Sequence, residues 1–112
     1  MTASTDDALW AAIAEPSRRR VLDLLVHGGE ASASALAAEV PFTRQAVMKH
    51  LAVLEEARLV TRQKEGREVR YRVDARRLEE ARRIVARVAQ DWERRLLDIK
   101  RIAEADHRGR AR

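Results

Sequence analysis

Arg44, Gln45, Met48 and Lys49 stand within six consecutive positions, and their types suit the edges of base pairs. Arg44 or Lys49 can donate to O6 and N7 of guanine, Gln45 can pair bidentately with adenine, and Met48 can meet a thymine methyl. Thr43, just before them, is a capping residue. Its hydroxyl and the open N–H groups of a helix start can hold a phosphate. A second set of cations follows at Arg62, Lys64, Arg67 and Arg70. These would straddle the sugar-phosphate backbone or reach the minor groove. The chemistry implied is recognition of double-stranded DNA rather than bond making.

The surrounding pattern supplies elements to position them. Leu9, Trp10 and Ile13 follow the capping candidates Ser4 and Thr5, which predicts a first helix ending near Glu15. Pro16 suits the first position of a second helix with the stripe Val21, Leu22, Leu25 and Val26, stopped by Gly28-Gly29. Ser32 or Ser34 can cap a short third helix burying Leu36, Ala37 and Val40. After a three-residue turn at Pro41-Phe42-Thr43, a fourth helix turns Val47, Leu51 and Leu54 inward. The period then falls to 2. Leu59 to Lys64 and Glu68 to Val73 read as strands around a turn at Glu65-Gly66-Arg67, with Val69, Tyr71 and Val73 alternating against Arg70 and Arg72. The expected fold is mainly α with a small β-hairpin: a winged helix-turn-helix ordered α-α-α-α-β-β-α, the hairpin being the wing.

From Ala75 to about Ala103 one helical stripe runs through Leu78, Ala81, Val85, Val88, Trp92, Leu96, Ile99 and Ile102. Such a helix would be roughly 43 Å long, against a diameter of about 35 Å for a compact domain of this size. Its overhanging stripe needs cover. A homodimer is therefore expected, with Val85, Val88, Trp92, Leu96 and Ile99 in the seam, joined by Leu9, Trp10 and Ile13 of the first helix.

Composition agrees with a DNA-binding reading. The 112 residues hold 23 Lys and Arg against 18 Asp and Glu, a net charge of +5, and no cysteine. Residues 41 to 77 alone carry 10 basic and 5 acidic groups, so the excess sits on the base-reading helix and the wing. One domain is expected over residues 1–104, with a basic, disordered tail at 105–112. Without cysteine there are no disulfides, thiolate metal sites or thiol nucleophiles. No apolar run approaches the roughly 20 residues of a membrane helix, and the start does not resemble a signal peptide, so a cytoplasmic protein without membrane contacts is the default. Glycine-rich phosphate loops, HExxH and G-x-S-x-G are missing, and nothing points to an enzyme or a cofactor. A sequence-indifferent architectural DNA-binding protein is the alternative to a sequence-specific regulator. Among the remaining polar residues, Arg18 to Arg20 read as the exposed face of the second helix, His27 as a cation at that helix's end, and His50 as a structural hydrogen-bonding group.

At Glu15-Pro16-Ser17-Arg18-Arg19-Arg20-Val21-Leu22, Arg44-Gln45-Ala46-Val47-Met48-Lys49-His50-Leu51, Leu54-Glu55-Glu56-Ala57-Arg58-Leu59-Val60 and Glu65-Gly66-Arg67-Glu68-Val69-Arg70-Tyr71 the chain resembles the ArsR (arsenic-repressor-like) regulators. The likeness covers about residues 8 to 100. It implies a homodimeric transcriptional repressor on a partly palindromic operator, dimerising through its first and last helices. The chain departs from the family pattern in having Arg58 where glycine is usual and Met48 where serine is common. It also lacks the Cys-x-Cys pair of the metal-sensing members. The family's other metal site would fall on Asp74, Arg76, Arg87 and Gln90, two of them arginines, so no metal site is expected. A later set with similar spacing, Asp91, Glu93, Glu104 and His107, reads as a solvated helix face. No signal or inducer is indicated.

Overall fold

The computed structural model describes residues 5–110. Its elements run α1 (Thr5–Ala14), α2 (Pro16–Gly28), β1 (Glu30–Ser32), α3 (Ala33–Ala37), α4 (Arg44–Glu56), β2 (Val60–Glu65), β3 (Glu68–Val73) and α5 (Ala75–Arg110). They form two compact units divided between Glu79 and Glu80. The architecture is a winged helix-turn-helix, mainly helical with a small antiparallel sheet.

Capping residues set most of the boundaries. Glu15 caps α2, accepting from the N–H groups of Ser17 at 3.1 Å and Arg18 at 3.0 Å, and Pro16 takes the first helical position. Arg18 and Arg19 turn back to close α1, donating from Nη1 to the carbonyls of Ala11 at 2.7 Å and Ile13 at 2.8 Å. Their role is thus to satisfy the last carbonyls of α1 rather than to stand as a free basic face. Ser32, not Ser34, caps α3, and Thr43 caps α4 through Oγ1, which accepts from the N–H of Ala46 at 3.1 Å. Ser4, one candidate cap for α1, lies outside the described residues.

Two expectations about length are corrected. Helix α3 has five residues and ends at Ala37, so six residues rather than three separate it from α4, and Val40 belongs to that connection. Pro41 disfavours the helical conformation at Val40, which limits how late α3 could end. Helix α5 continues past residue 103 through Arg110, so residues 105–110 are helical where a disordered tail was expected. Ala103, Glu104 and Ala105 are strong helix formers and offer no stop.

In the first unit the core is Leu9, Ala12, Val21, Leu25, Leu36, Val47, Leu51, Leu54, Leu59, Val60 and Tyr71, all buried. Each fully buried Leu or Val contributes about 1.5–3 kcal/mol from removal of its side chain from water. Helix α4 thereby presents Val47, Leu51 and Leu54 to the core and the opposite side to solvent. Its end is a Schellman turn. Arg58 adopts φ +63°, its N–H donates to the carbonyl of Glu55 at 2.9 Å, and Leu59 N–H donates to Leu54 at 3.0 Å. Just beyond, Arg77 is buried, and its Nε donates to the carbonyl of Ala57 at 3.0 Å.

The sheet has three strands, where the sequence pattern predicts two, in the order β1-β3-β2. The hairpin pairs Arg62 with Tyr71, Lys64 with Val69 and Glu65 with Glu68, leaving Gly66 and Arg67 as a two-residue turn. Gly66 has φ +63°, a conformation that glycine takes freely at the first central position of such a turn. Strand β1 pairs along the other edge of β3, Ala31 facing Tyr71. The second unit is the bulk of α5, whose 36 residues make a helix about 54 Å long.

Candidate nucleic-acid interface

The register sorts the wing cations by face. Residues directly opposite in antiparallel strands share a face, so Arg62 and Lys64 lie with Ala31, Val69 and Tyr71, the side that packs inward. On the other side lie Glu30, Ser32, Thr61, Gln63, Glu65, Glu68, Arg70 and Arg72. Arg62 and Arg67 therefore meet Arg44 and Met48 of α4 in one groove of about 520 Å³, floored by Val69 and Tyr71 and flanked by Ser32, Ala33, Ser34 and Glu68. Arg62 reaches across to α4, its Nε 3.2 Å from Oε2 of Glu55.

Of the residues expected to meet DNA, then, the structure brings Arg44, Met48, Arg62 and Arg67 together. Gln45 and Lys49 are exposed on α4 about 100° around the helix from Arg44 and Met48 respectively, on its outermost side. Lys64 is exposed on β2 beyond the groove. Thr43 is exposed at the helix start, one lone pair engaged by Ala46. Arg70 does not join them. It is half-buried on the far face of the wing, its Nε 3.1 Å from Oε1 of Glu30 and its Nη1 3.5 Å from Oε2 of Glu68. Period-2 alternation had already put Arg70 opposite Tyr71; what the sequence did not reveal was the partner strand carrying Glu30.

A sequence profile described as a helix-turn-helix domain matches residues 13–63. The chain is 38% identical over 73 residues to the HTH-type transcriptional regulator Rv2034 of Mycobacterium tuberculosis, covering 65% of this chain and 67% of that one. It is 30% identical over 63 residues to the transcriptional repressor SdpR of Bacillus subtilis, covering 56% and 69%. Among solved structures, an ArsR-like transcriptional regulator from Rhodococcus sp. RHA1 superposes with a TM-score of 0.66 at 39% identity, over 87% of this chain and 91% of that one. The chain belongs to the ArsR family. It is a transcriptional regulator built on a helix-turn-helix DNA-binding fold.

As an ArsR-family chain it has no cysteine. Among the described residues no three His, Asp or Glu side chains cluster as metal ligands would, and no helix is long and apolar enough to cross a membrane. Asp91 pairs instead with Arg94, and Asp98 with Arg101. Asp74, at the other family metal position, caps α5 by accepting from the N–H of Arg77 at 3.1 Å.

Three further polar residues carry chemistry. His50 sits edge-on to Phe42, ring centroids 5.5 Å apart, with Nε2 3.7 Å from Oε2 of Glu15. It thus sets α4 beside the start of α2 through a ring contact and a 3.7 Å approach to Glu15, while its Nδ1 has no hydrogen-bond partner among the described residues, so the expected structural hydrogen bond is not formed. Glu15 has its carboxyl held below the usual carboxylate range, first by the N–H of Ser17, then by that of Arg18 and by the nearby His50. His27 closes α2, its Nδ1 2.8 Å from the Asp23 carbonyl.

The residues expected in a dimer seam divide. On α5, Val85, Trp92, Leu96 and Ile99 are exposed and Val88 is half-buried, with Trp92 63% open to solvent. On α1, Trp10 and Ile13 are half-buried, but Leu9 is fully buried within the chain itself. Leu9 is therefore a core residue, since a side chain with no exposed surface has none to give a second copy.

Proposed function

We propose that this ArsR-family regulator is a repressor that binds a partly palindromic operator as a homodimer, each protomer reading one half-site. The observation carrying this is the groove between α4 and the wing, which sets Arg44 and Met48 opposite Arg62 and Arg67. A strand of sugar-phosphate backbone separates the major from the minor groove, and a cation-rimmed trough beside a groove-entering helix suits it. In this reading Arg44, Gln45, Met48 and Lys49 meet base edges, Thr43 meets a phosphate, and Arg62, Lys64 and Arg67 hold the backbone. The likeness to the SdpR repressor supports repression. The exposed stripe Val85, Trp92, Leu96 and Ile99, with half-buried Val88, supports a homodimer through α5, aided by Trp10 and Ile13 of α1. The protein would act in the cytoplasm, and residues 1–104 would serve as one DNA-binding and dimerisation domain.

Fluorescence anisotropy on the duplex upstream of its own gene, with a scrambled duplex as control, tests this. A specific regulator binds the first about 10³-fold more tightly. Equal affinity for the two would make the chain a sequence-indifferent architectural protein instead.

A further inference from the structure

The back of the wing carries the strongest unused charge arrangement in the first unit. Glu30 engages two arginines at once: Oε1 lies 3.1 Å from Nε of Arg70 and Oε2 3.0 Å from Nη2 of Arg72. Glu68 approaches Arg70 at 3.5 Å, and Glu65 stands opposite Glu68 on the same face. Three carboxylates thus face two guanidiniums there, whereas the inward side carries Arg62 and Lys64, with Arg67 at the tip. The wing's own side chains are therefore unevenly charged: the groove side carries Arg62, Lys64 and Arg67 against Glu55 of α4 and Glu68 at the tip, whereas behind it three carboxylates outnumber two arginines.

A hairpin with free arginines on both faces would take phosphates from either side. Phosphate contacts carry no sequence information, so each extra one raises affinity for every duplex alike and lowers the ratio by which an operator is preferred. We infer that Glu30, assisted by Glu68, is a specificity-determining residue that withholds Arg70 and Arg72 from DNA and keeps binding to random duplex weak. This rests on the DNA-binding reading of the groove. Glu30 touches no base in this account; it acts through the two arginines it holds.

The full-length protein, wild type and Glu30→Gln, would be titrated with the upstream duplex and with a random 25-base-pair duplex across a salt series. Release of the arginines should add about one phosphate contact to random binding. The log affinity against log salt should steepen by about 0.9, with about tenfold tighter random binding at 50 mM salt. Affinity for the upstream duplex should rise less, so discrimination falls severalfold. Unchanged random affinity and slope in a folded Glu30→Gln protein would overturn the inference. If that variant melts below the assay temperature, Glu68→Gln, at the exposed tip, takes its place with a smaller change of the same sign, and no change there is equally fatal. Loss of all duplex binding in wild type would sink the DNA-binding reading itself, a separate outcome.

Discussion

Arg58 shows how a single residue can depart from a family pattern without changing the turn. Its φ of +63° and the two hydrogen bonds of the Schellman turn make its position one that glycine fills without steric cost. Arg58→Gly should therefore raise stability by about 0.5–1 kcal/mol, or roughly 3–6 °C in Tm; an unchanged or lower Tm by calorimetry would show that the arginine side chain offsets the strain. Glu15 has a pH signature. Because its folded pKa lies below the ordinary value of 4.5, it stabilises the fold above about pH 4.5, and that contribution is lost as pH falls through the depressed value. The Tm gap between wild type and Glu15→Gln should be widest near neutrality and narrow as the pH is lowered below 4.5. A gap constant across that range would refute the assignment. Legibility at this scale followed chemistry. Thr43 is a strong capping type and announced itself, whereas glutamate is a weak one, so Glu15 gave no signal until its backbone partners were seen.

Elements with their own punctuation were legible and those made by a partner were not. Pro16 and Gly28-Gly29 bracket α2, and the change from period 3.6 to period 2 after Leu59 marks the hairpin. Strand β1 is Glu-Ala-Ser, too short for any period and poor in strand formers; β3 imposes the extended conformation on it through three register pairs. The same reasoning explains the candidate site: α4, the wing cations and the face of Arg70 could be named from types and spacing, but only the third strand brings Glu30 to pair with Arg70. The start of α4 rests on one side chain. Thr43→Ala should cost about 1 kcal/mol of stability, measured by urea denaturation, and should weaken operator binding beyond that if the hydroxyl meets a phosphate. In contrast, Arg67→Ala should weaken all duplexes alike, while Arg44→Ala should flatten preference among operator variants.

At the scale of the whole molecule the proposed homodimer rests on the exposed stripe of α5. Trp92→Glu places a charge where an apolar seam would close, so sedimentation should report a monomer in place of a dimer at micromolar concentration. Operator affinity should fall with it, because half-sites are then bound singly; a Trp92→Glu protein that still sediments as a dimer would move the interface elsewhere. The helical period of the far helix was legible from sequence but not its end, because alanine and glutamate near residue 104 continue a helix that no proline or early glycine stops. The order β1-β3-β2 has one more consequence, in time rather than in space. Strand β3 is hydrogen-bonded on both edges and β2 on one, so amide deuterium exchange should spare β3 longest. Arg62 and Lys64 ride on an edge strand held by one ladder alone, so the groove side of the wing should exchange ahead of Tyr71, which is paired on both sides.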